Sequence, residues 1–575
     1  MTDTVASGLW GLVRTDGAPL GRVALNQLGL PFTLGHQSAE GRDTQDPDAV
    51  DELSDQGGQT ILTGWIANHD ELAGLLGLSA GAAPAALARA ALLLFGQDTP
   101  ARMLGEWSLF HAGGTGQVWL MQSITVRDRL FFTWTQPRLA FAPDAVALAR
   151  LESCGAELDP EAIGLYLGNA GLRARLGARS IYRGIEKLLP GCSIRFAPDG
   201  TLRRHAIGLP ELDPPREVSA AAASAELEVV LRRVVHDRLR RTRRPAVLLS
   251  GGLDSSLLAG LAAQELDEPP LALCSVAPAG SGIPDEYAFA KAVADRHGIE
   301  LVPVCPAPDA NPYRAPRHVL LGAEAPLLSN RHCLTSSFHA AARAMGATML
   351  VNGTYGEMTV TSRLPGSPTL RQRLGTARRW MASRMQPDRA DFHARLAPHL
   401  AARLSQYRTA PVEAEVWTRR QSGQIGYIRG SDRAVGQPNA FHPGALRMDF
   451  PYRDLRLLRC YAGLPSEVAY ALGPDRGPGR NIGQGLLPDA VRLRQRGMPA
   501  DPGHYARLQA FAGIARERIR VFRALELDEW LDLDWLDQAL ARAADRGVST
   551  VVDANEMQLT ALAAEYLSCL RGGGD

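Results

Sequence analysis

Over the first ~205 residues, apolar positions gather into short runs divided by turn formers. Strands are predicted over Gly21–Leu28, Gln59–Ile66, Glu106–Phe110, Val118–Gln122 and Leu130–Trp134, with one helix over Pro84–Phe95. Proline, glycine and charged residues cluster from Gly208 to Val218 and end this β-rich region. From Ala220 the pattern switches to long helices alternating with short buried strands. The helix Ala220–Arg241 is followed by the strand Pro245–Leu249 and the helix Ser255–Gln264. The strand Leu271–Val276 precedes the helix Asp285–His297, and the helix Thr335–Met345 precedes the strand Thr348–Val351. That alternation predicts a parallel sheet. Beyond about Pro365 the chain is mostly helical and arginine-rich. The expected fold class is α/β plus α+β in two domains, residues 1–205 and 220–510, joined by a linker at 206–219 and followed by a helical tail at 511–575.

A length of 575 residues is enough for two or more domains with full cores, and 45% hydrophobic with 21% charged residues fits a folded chain. Basic and acidic residues nearly cancel at 62 and 61, so the general attraction behind nucleic-acid binding is missing. The longest apolar stretch, around Ala83–Gly96, is interrupted by Arg89 and too short to span a bilayer. MTDTVASGLW carries no basic-then-apolar pattern, so a cytoplasmic location is expected. The seven cysteines form no CxxC pair, which fits reduced thiols and gives no metal site. Only Lys187 and Lys291 are lysines, which confines any lysine chemistry to two positions. The basic run Arg232–Arg244 is expected to be a solvated helix face.

The segment Ala246–Ala262 carries the most chemistry. A buried strand runs into Ser250-Gly251-Gly252-Leu253-Asp254-Ser255-Ser256, and a helix starts at once. Two glycines let backbone N–H groups approach an anion, and the helix N-terminus favours it. Asp254 in such a nest would be repelled by phosphate unless a cation intervened, so it is expected to ligate Mg²⁺.

This loop resembles the pyrophosphate loop of the ATP-pyrophosphatase class in its asparagine-synthetase-like branch. Gly64-Trp65-Ile66-Ala67-Asn68-His69-Asp70-Glu71-Leu72 resembles the family's NGEIYNHxEL segment, Arg127-Asp128-Arg129-Leu130 its RDRLG stretch, and Pro190-Gly191 its LxPG turn. Asp285-Glu286 resembles its DE pair, and Asn352-Gly353-Thr354-Tyr355-Gly356-Glu357 stands where the family has SGEGSD. The resemblance implies an N-terminal-nucleophile-like β-sandwich followed by an adenine nucleotide α-hydrolase-like synthetase domain. It implies ATP held by Leu249, Ser250, Gly251, Gly252, Asp254, Ser255, Val276, Asn352 and Gly353, and Mg²⁺ held by Asp254 and Glu357, where the family has an aspartate.

Departures from the family narrow the activity. Thr2 stands at the place of its nucleophilic cysteine, and Thr63 and Trp65 replace its glutamine-holding Asn and Glu. The N-terminal domain is therefore expected to be an inactive glutamine-amidotransferase-like relic. No lysine lies beyond residue 291, so Arg494 or Arg496 is expected to supply the charge of the family's C-terminal lysine, without its proton. Tyr355 is a candidate base, offset by one residue from the tyrosine of the β-lactam-forming branch. The expected activity is ATP-dependent amide formation, closest to the macrolactam synthetases that close lasso peptides. That activity implies a precursor peptide and a leader-peptide protease with its leader-recognition protein as partners. Thr361–Gly444 is expected to build the peptide cleft. Asparagine synthesis, β-lactam-type cyclisation and a non-catalytic scaffold remain as alternatives.

Overall fold

A computed structural model describes residues 9–14, 35–36, 51–114, 116–126, 130–136, 138–149, 157–168, 172–173, 175–206, 217–321, 330–363, 394–404, 406–409, 446–473, 475–495, 497–548 and 551–572. The expected strand Gly21–Leu28, the Arg127–Arg129 stretch, Arg496 and most of Thr361–Gly444 lie outside them.

Among the described residues the N-terminal region has eleven strands: β1 (Leu9–Arg14), β2 (Gly35–His36), β3 (Asp51–Asp55), β4 (Gly58–Ile66), β5 (Gly105–Gly113), β6 (Val118–Gln122), β7 (Phe131–Thr135), β8 (Arg138–Ala142), β9 (Glu186–Lys187), β10 (Cys192–Phe196) and β11 (Leu202–Ala206). They pair antiparallel in two sheets, of order β2-β1-β8-β7-β9 and β11-β10-β6-β5-β4-β3. Inward residues of both sheets, among them Val13, Phe132 and Phe141 from one and Ile61, Phe110 and Leu120 from the other, make one core. Phe110 and Phe141 stack across it with ring centroids 5.2 Å apart. The sheets therefore form a sandwich. Helices α1 (His69–Leu75) and α2 (Pro84–Phe95) close the outer face of the larger sheet through Leu72, Leu87, Ala88 and Leu92.

The second region opens with α3 (Ala220–Leu239), whose Ser219 hydroxyl accepts from the Ala222 N–H. Strands β12 (Pro245–Leu248), β13 (Leu271–Ser275), β14 (Glu300–Val304), β15 (Met349–Val351) and β16 (Arg447–Asp449) form an all-parallel sheet of order β14-β13-β12-β15-β16. Helices α4 (Leu253–Glu265), α5 (Tyr287–His297) and α6 (His332–Ala344) connect them. The order reverses between β12 and β15, and in such sheets the usual ligand position is at that reversal, outside the carboxyl ends of the strands. Apolar runs in β12, β13 and β15 reflect burial on both faces. Two strands of this sheet were not expected: β14, which carries Glu300 and Pro303, and β16, whose sequence is Arg-Met-Asp.

The basic run Arg232–Arg244 departs from expectation. Arg233 is solvated, but the Arg238 side chain is 1% exposed and ion-paired to Glu106, Asp449 and Asp454. Among the described residues no helix is long and apolar enough to cross a membrane, and Cys192, Cys274, Cys305, Cys333, Cys460 and Cys569 are free thiols.

Candidate nucleotide site

β12 delivers Leu249, fully buried, whose N–H donates to Leu273 O at 2.9 Å and carries the sheet pattern one residue past the strand. The chain then turns sharply into α4. Gly251 has φ +69, and a Cβ there would lie 2.6 Å from Phe289 Cβ and 2.8 Å from Ala290 N. The loop backbone is pressed against α5, so only glycine fits. The Ser255 hydroxyl ties the turn together. It accepts from the Ser250 N–H at 3.1 Å and donates to Gly252 O at 3.3 Å. The Gly252 N–H donates to the Ser250 hydroxyl at 3.3 Å. This is a compact nest at the N-terminus of a 13-residue helix. Val276 continues β13 at the same carboxyl edge through its N–H to Val304 O, and Asp285 fixes the following residue by accepting from the Ala277 N–H at 2.9 Å.

A second loop leaves β15 and lies on the first turn of α4. A Cβ at Gly353 would sit 2.8 Å from Ser255 N, and one at Gly356 would overlap Asp254 Oδ1. Two glycines thus let the loops touch. Asn352 shapes this loop. Its N–H donates to Asp449 O at 2.9 Å, and its Oδ1 accepts from the Thr354 N–H and hydroxyl at 2.9 and 2.7 Å. Tyr355 is 2% exposed with φ +78, its ring edge-on to Phe450 at 5.5 Å and beneath the Arg453 guanidinium at 5.3 Å.

The loops bring Asp254 and Glu357 together. Burial pushes both carboxyl groups above their ordinary range, and the Asp254 charge raises Glu357 further. Thr361 donates to Asp254 Oδ1, Arg476 Nη1 stands 3.5 Å from Oδ2, and the Tyr452 hydroxyl donates to the Asp254 carbonyl at 2.9 Å. Burial first, then the same two carboxylates, hold the Tyr452 phenol well above its usual range. Two carboxylates that repel each other, a part-buried Asp254 and a surface-accessible Glu357, suit a hard divalent cation. Mg²⁺ typically takes one or two carboxylates and completes its shell with water and substrate phosphates. Among the described residues no group of three or more His, Cys, Asp or Glu is placed to hold a metal, and such a shared Mg²⁺ requires none.

Arg494 packs on Phe289. Its guanidinium stacks 3.9 Å from that ring centroid and pairs with Glu286 at 2.7 Å. Glu286 also accepts the Met498 N–H at 2.5 Å. Phe289 therefore backs Gly251 with its Cβ and carries Arg494 on its ring. Sequence reasoning missed Phe289, Thr361, Tyr452 and Arg476 as neighbours of the loop. The Asp285-Glu286 pair was the one signal pointing at this wall.

A nest on a parallel strand, an acidic pair beside it and a fixed arginine are features suited to an anionic phosphate ligand with a divalent cation. The chain belongs to the asparagine synthase family, whose model matches residues 226–566, more than half of the sequence. That family comprises ATP-dependent, AMP-forming carbon–nitrogen ligases. Two solved structures are similar at 9% identity. Glutamine phosphoribosylpyrophosphate (PRPP) amidotransferase from B. subtilis, complexed with ADP and GMP, has a TM-score of 0.18 over 54% of this chain and 59% of its own. The allosteric regulatory enzyme of purine biosynthesis has a TM-score of 0.19 over 57% and 59%. The chain thus spans 59% of the length of each, and at such TM-scores the likeness informs neither fold nor chemistry. No curated protein matches the chain.

Proposed function

We propose that this chain is an ATP-dependent amide-forming ligase that adenylates a side-chain carboxylate and closes a macrolactam in a lasso-type peptide. The observation that carries the first part is the Ser250–Asp254 nest beside Glu357 where the strand order reverses between β12 and β15. A substrate carboxylate oxygen attacks the α-phosphorus of ATP, and the bond to the bridging oxygen breaks. Pyrophosphate departs toward the Gly251 and Gly252 amides and the α4 N-terminus. Asp254 and Glu357 would hold Mg²⁺, which when bound neutralises charge on the phosphate oxygens. Arg494, fixed by Glu286 and Phe289, supplies a permanent positive charge, since a guanidinium does not release its proton. Arg496 is proposed to share that role. An amine then attacks the acyl carbon, loses one proton, and AMP leaves.

The macrolactam reading is supported by Trp65. This position matches the glutamine-holding acid of the family, yet its indole lies beneath the Arg241 guanidinium at 4.1 Å and near that of Arg238 at 5.3 Å. An indole packed against two arginines cannot make the contact the family's acid makes to glutamine, which favours an amine supplied by the substrate itself. The peptide and the protease that frees its N-terminus are the partners this requires.

The test is incubation with ATP, Mg²⁺, the leader protease and precursor peptide. The expected product is one water lighter than the linear core, and Asp254→Ala abolishes its formation and substrate-dependent pyrophosphate release. Linear core alone, with asparagine formed from aspartate and ammonia, would replace this reading by asparagine synthesis. Unchanged pyrophosphate release in Asp254→Ala would reject the site.

A further inference from the structure

One carboxylate of the N-terminal sandwich, Glu106, is ion-paired to the strand that borders the nucleotide loop. Trp65 and Glu106 stand directly opposite each other on β4 and β5, so both side chains leave the same face of the sheet. Gly64 permits this approach, because a Cβ at its φ of +97 would overlap the Glu106 carbonyl. Glu106 is 2% exposed at its side chain and accepts from two guanidiniums. Oε1 takes Arg238 Nη1 at 3.0 Å, and Oε2 takes Arg447 Nη2 at 3.2 Å. The same Arg238 nitrogen donates to Asp449 Oδ1 at 2.6 Å.

Arg447 and Asp449 are the two ends of β16. This strand has three residues and, among the described residues, lies at the sheet edge and pairs only with β15. So short an edge has too few ladder bonds to fix its own position, and local opening would be easy without outside anchors. Glu106 supplies them, to one end directly and to the other through Arg238. The anchored strand then sets the loop. The Asp449 carbonyl accepts the Asn352 N–H at 2.9 Å, at the residue where β15 gives way to the Asn352–Glu357 loop that meets Asp254.

We infer that Glu106 is a positioning residue for the nucleotide loop, and that the sandwich serves as the structural half of a site whose chemistry lies entirely in the other half. This rests on the proposed ATP site for its consequence, but not for its geometry. Glu106→Gln keeps the side-chain shape while removing the charge that both guanidiniums face.

The experiment measures hydrogen–deuterium exchange and Mg-ATP affinity on the full chain. Glu106→Gln is expected to speed exchange in a peptide spanning residues 349–358 by roughly fivefold or more and to raise the Mg-ATP Kd about tenfold. Peptides from β4 and β6 keep their protection. Arg89→Gln, which breaks an exposed bridge to Asp55 in the same sheet, changes neither reading. Should Glu106→Gln lose protection everywhere, Glu106→Asp, which keeps the charge and shortens its reach, gives the readout instead. Unchanged exchange at 349–358 overturns the inference, as does faster exchange with unchanged Mg-ATP affinity. A wild-type chain that binds no Mg-ATP rejects the proposed function, and the exchange result alone then decides the positioning role.

Discussion

At the scale of single residues, the nest makes a sharp prediction because its two glycines differ. Gly251 is in the left-handed region with α5 against it, whereas Gly252 has φ −80 and a Cβ there would meet only the Ser250 hydroxyl oxygen, at 3.2 Å. Gly251→Ala should therefore cost roughly 1–3 kcal/mol of stability and abolish Mg-ATP binding. Gly252→Ala should fold with a near-normal melting temperature. Equal melting temperatures for the two variants would contradict the packing of the loop on α5. Gly251, Gly252 and Asp254 were readable in the sequence because strand, glycines, acid and helix stand within a few residues. Thr361, Arg476 and Tyr452 were not readable, since each reaches Asp254 from more than a hundred residues away and belongs to a type common elsewhere in the chain. The arginine-rich composition hid Arg476 in particular.

At the scale of elements, the helical period carried information that residue type concealed. Leu231, Val234 and Val235 mark the buried face of α3, and Arg238 falls on that same face one turn later. Arginine suggested solvent, the spacing indicated burial, and the spacing prevailed because Glu106, Asp449 and Asp454 compensate the charge. Burial alone would lower the Arg238 pKa, but those three carboxylates hold it above the ordinary value. The two missed strands of the parallel sheet have a similar explanation. β14 is an edge strand and tolerates Pro303 there, while β16 is defined by ion pairs rather than by apolar pattern. Two further helices begin with buried histidines: His332 on α6, and His504 on α7 (His504–Glu517). Burial pushes both down to about 4, although Asp501 opposes this for His504 and the bond to the Pro312 carbonyl opposes it for His332. Each ring thus takes up its proton more readily when unfolded, at the ordinary value near 6.5. The stability gained by keeping them neutral is complete above about pH 6.5 and is lost as pH falls toward 4, by roughly 3 kcal/mol per ring at the acid end. Melting temperatures should drop across that window, and His332→Gln should flatten the profile. A melting curve unchanged between pH 7 and pH 5 would contradict the burial of these rings.

At the scale of the whole molecule, the boundary seen in the sequence is a change of element type but not a break in packing. One apolar cluster joins Phe131, Ile163 and Leu167 of the first region to Leu400, Leu404, Leu508, Leu536 and Leu562 of the C-terminal helices. The helix Pro160–Leu167 packs directly there, since a Cβ on Gly164 would overlap Leu404 Cδ1. The Glu106–Arg238–Asp449 network forms a second junction across the same two regions. No local pattern could have announced either, because their partners lie more than a hundred residues apart and include both apolar and charged types. Shared cores of this kind couple unfolding, so calorimetry should show one cooperative transition rather than two. Arg238→Met should lower that single transition as a whole. It leaves the Glu106 and Asp449 carboxylates buried without the guanidinium between them, at a cost of about 3–5 kcal/mol. Replacing Glu106 and Asp449 as well, by Gln and Asn, removes the stranded charges and should recover part of that loss. Two transitions, of which Arg238→Met moves only one, would show that the halves melt independently and that the network is not a junction between them.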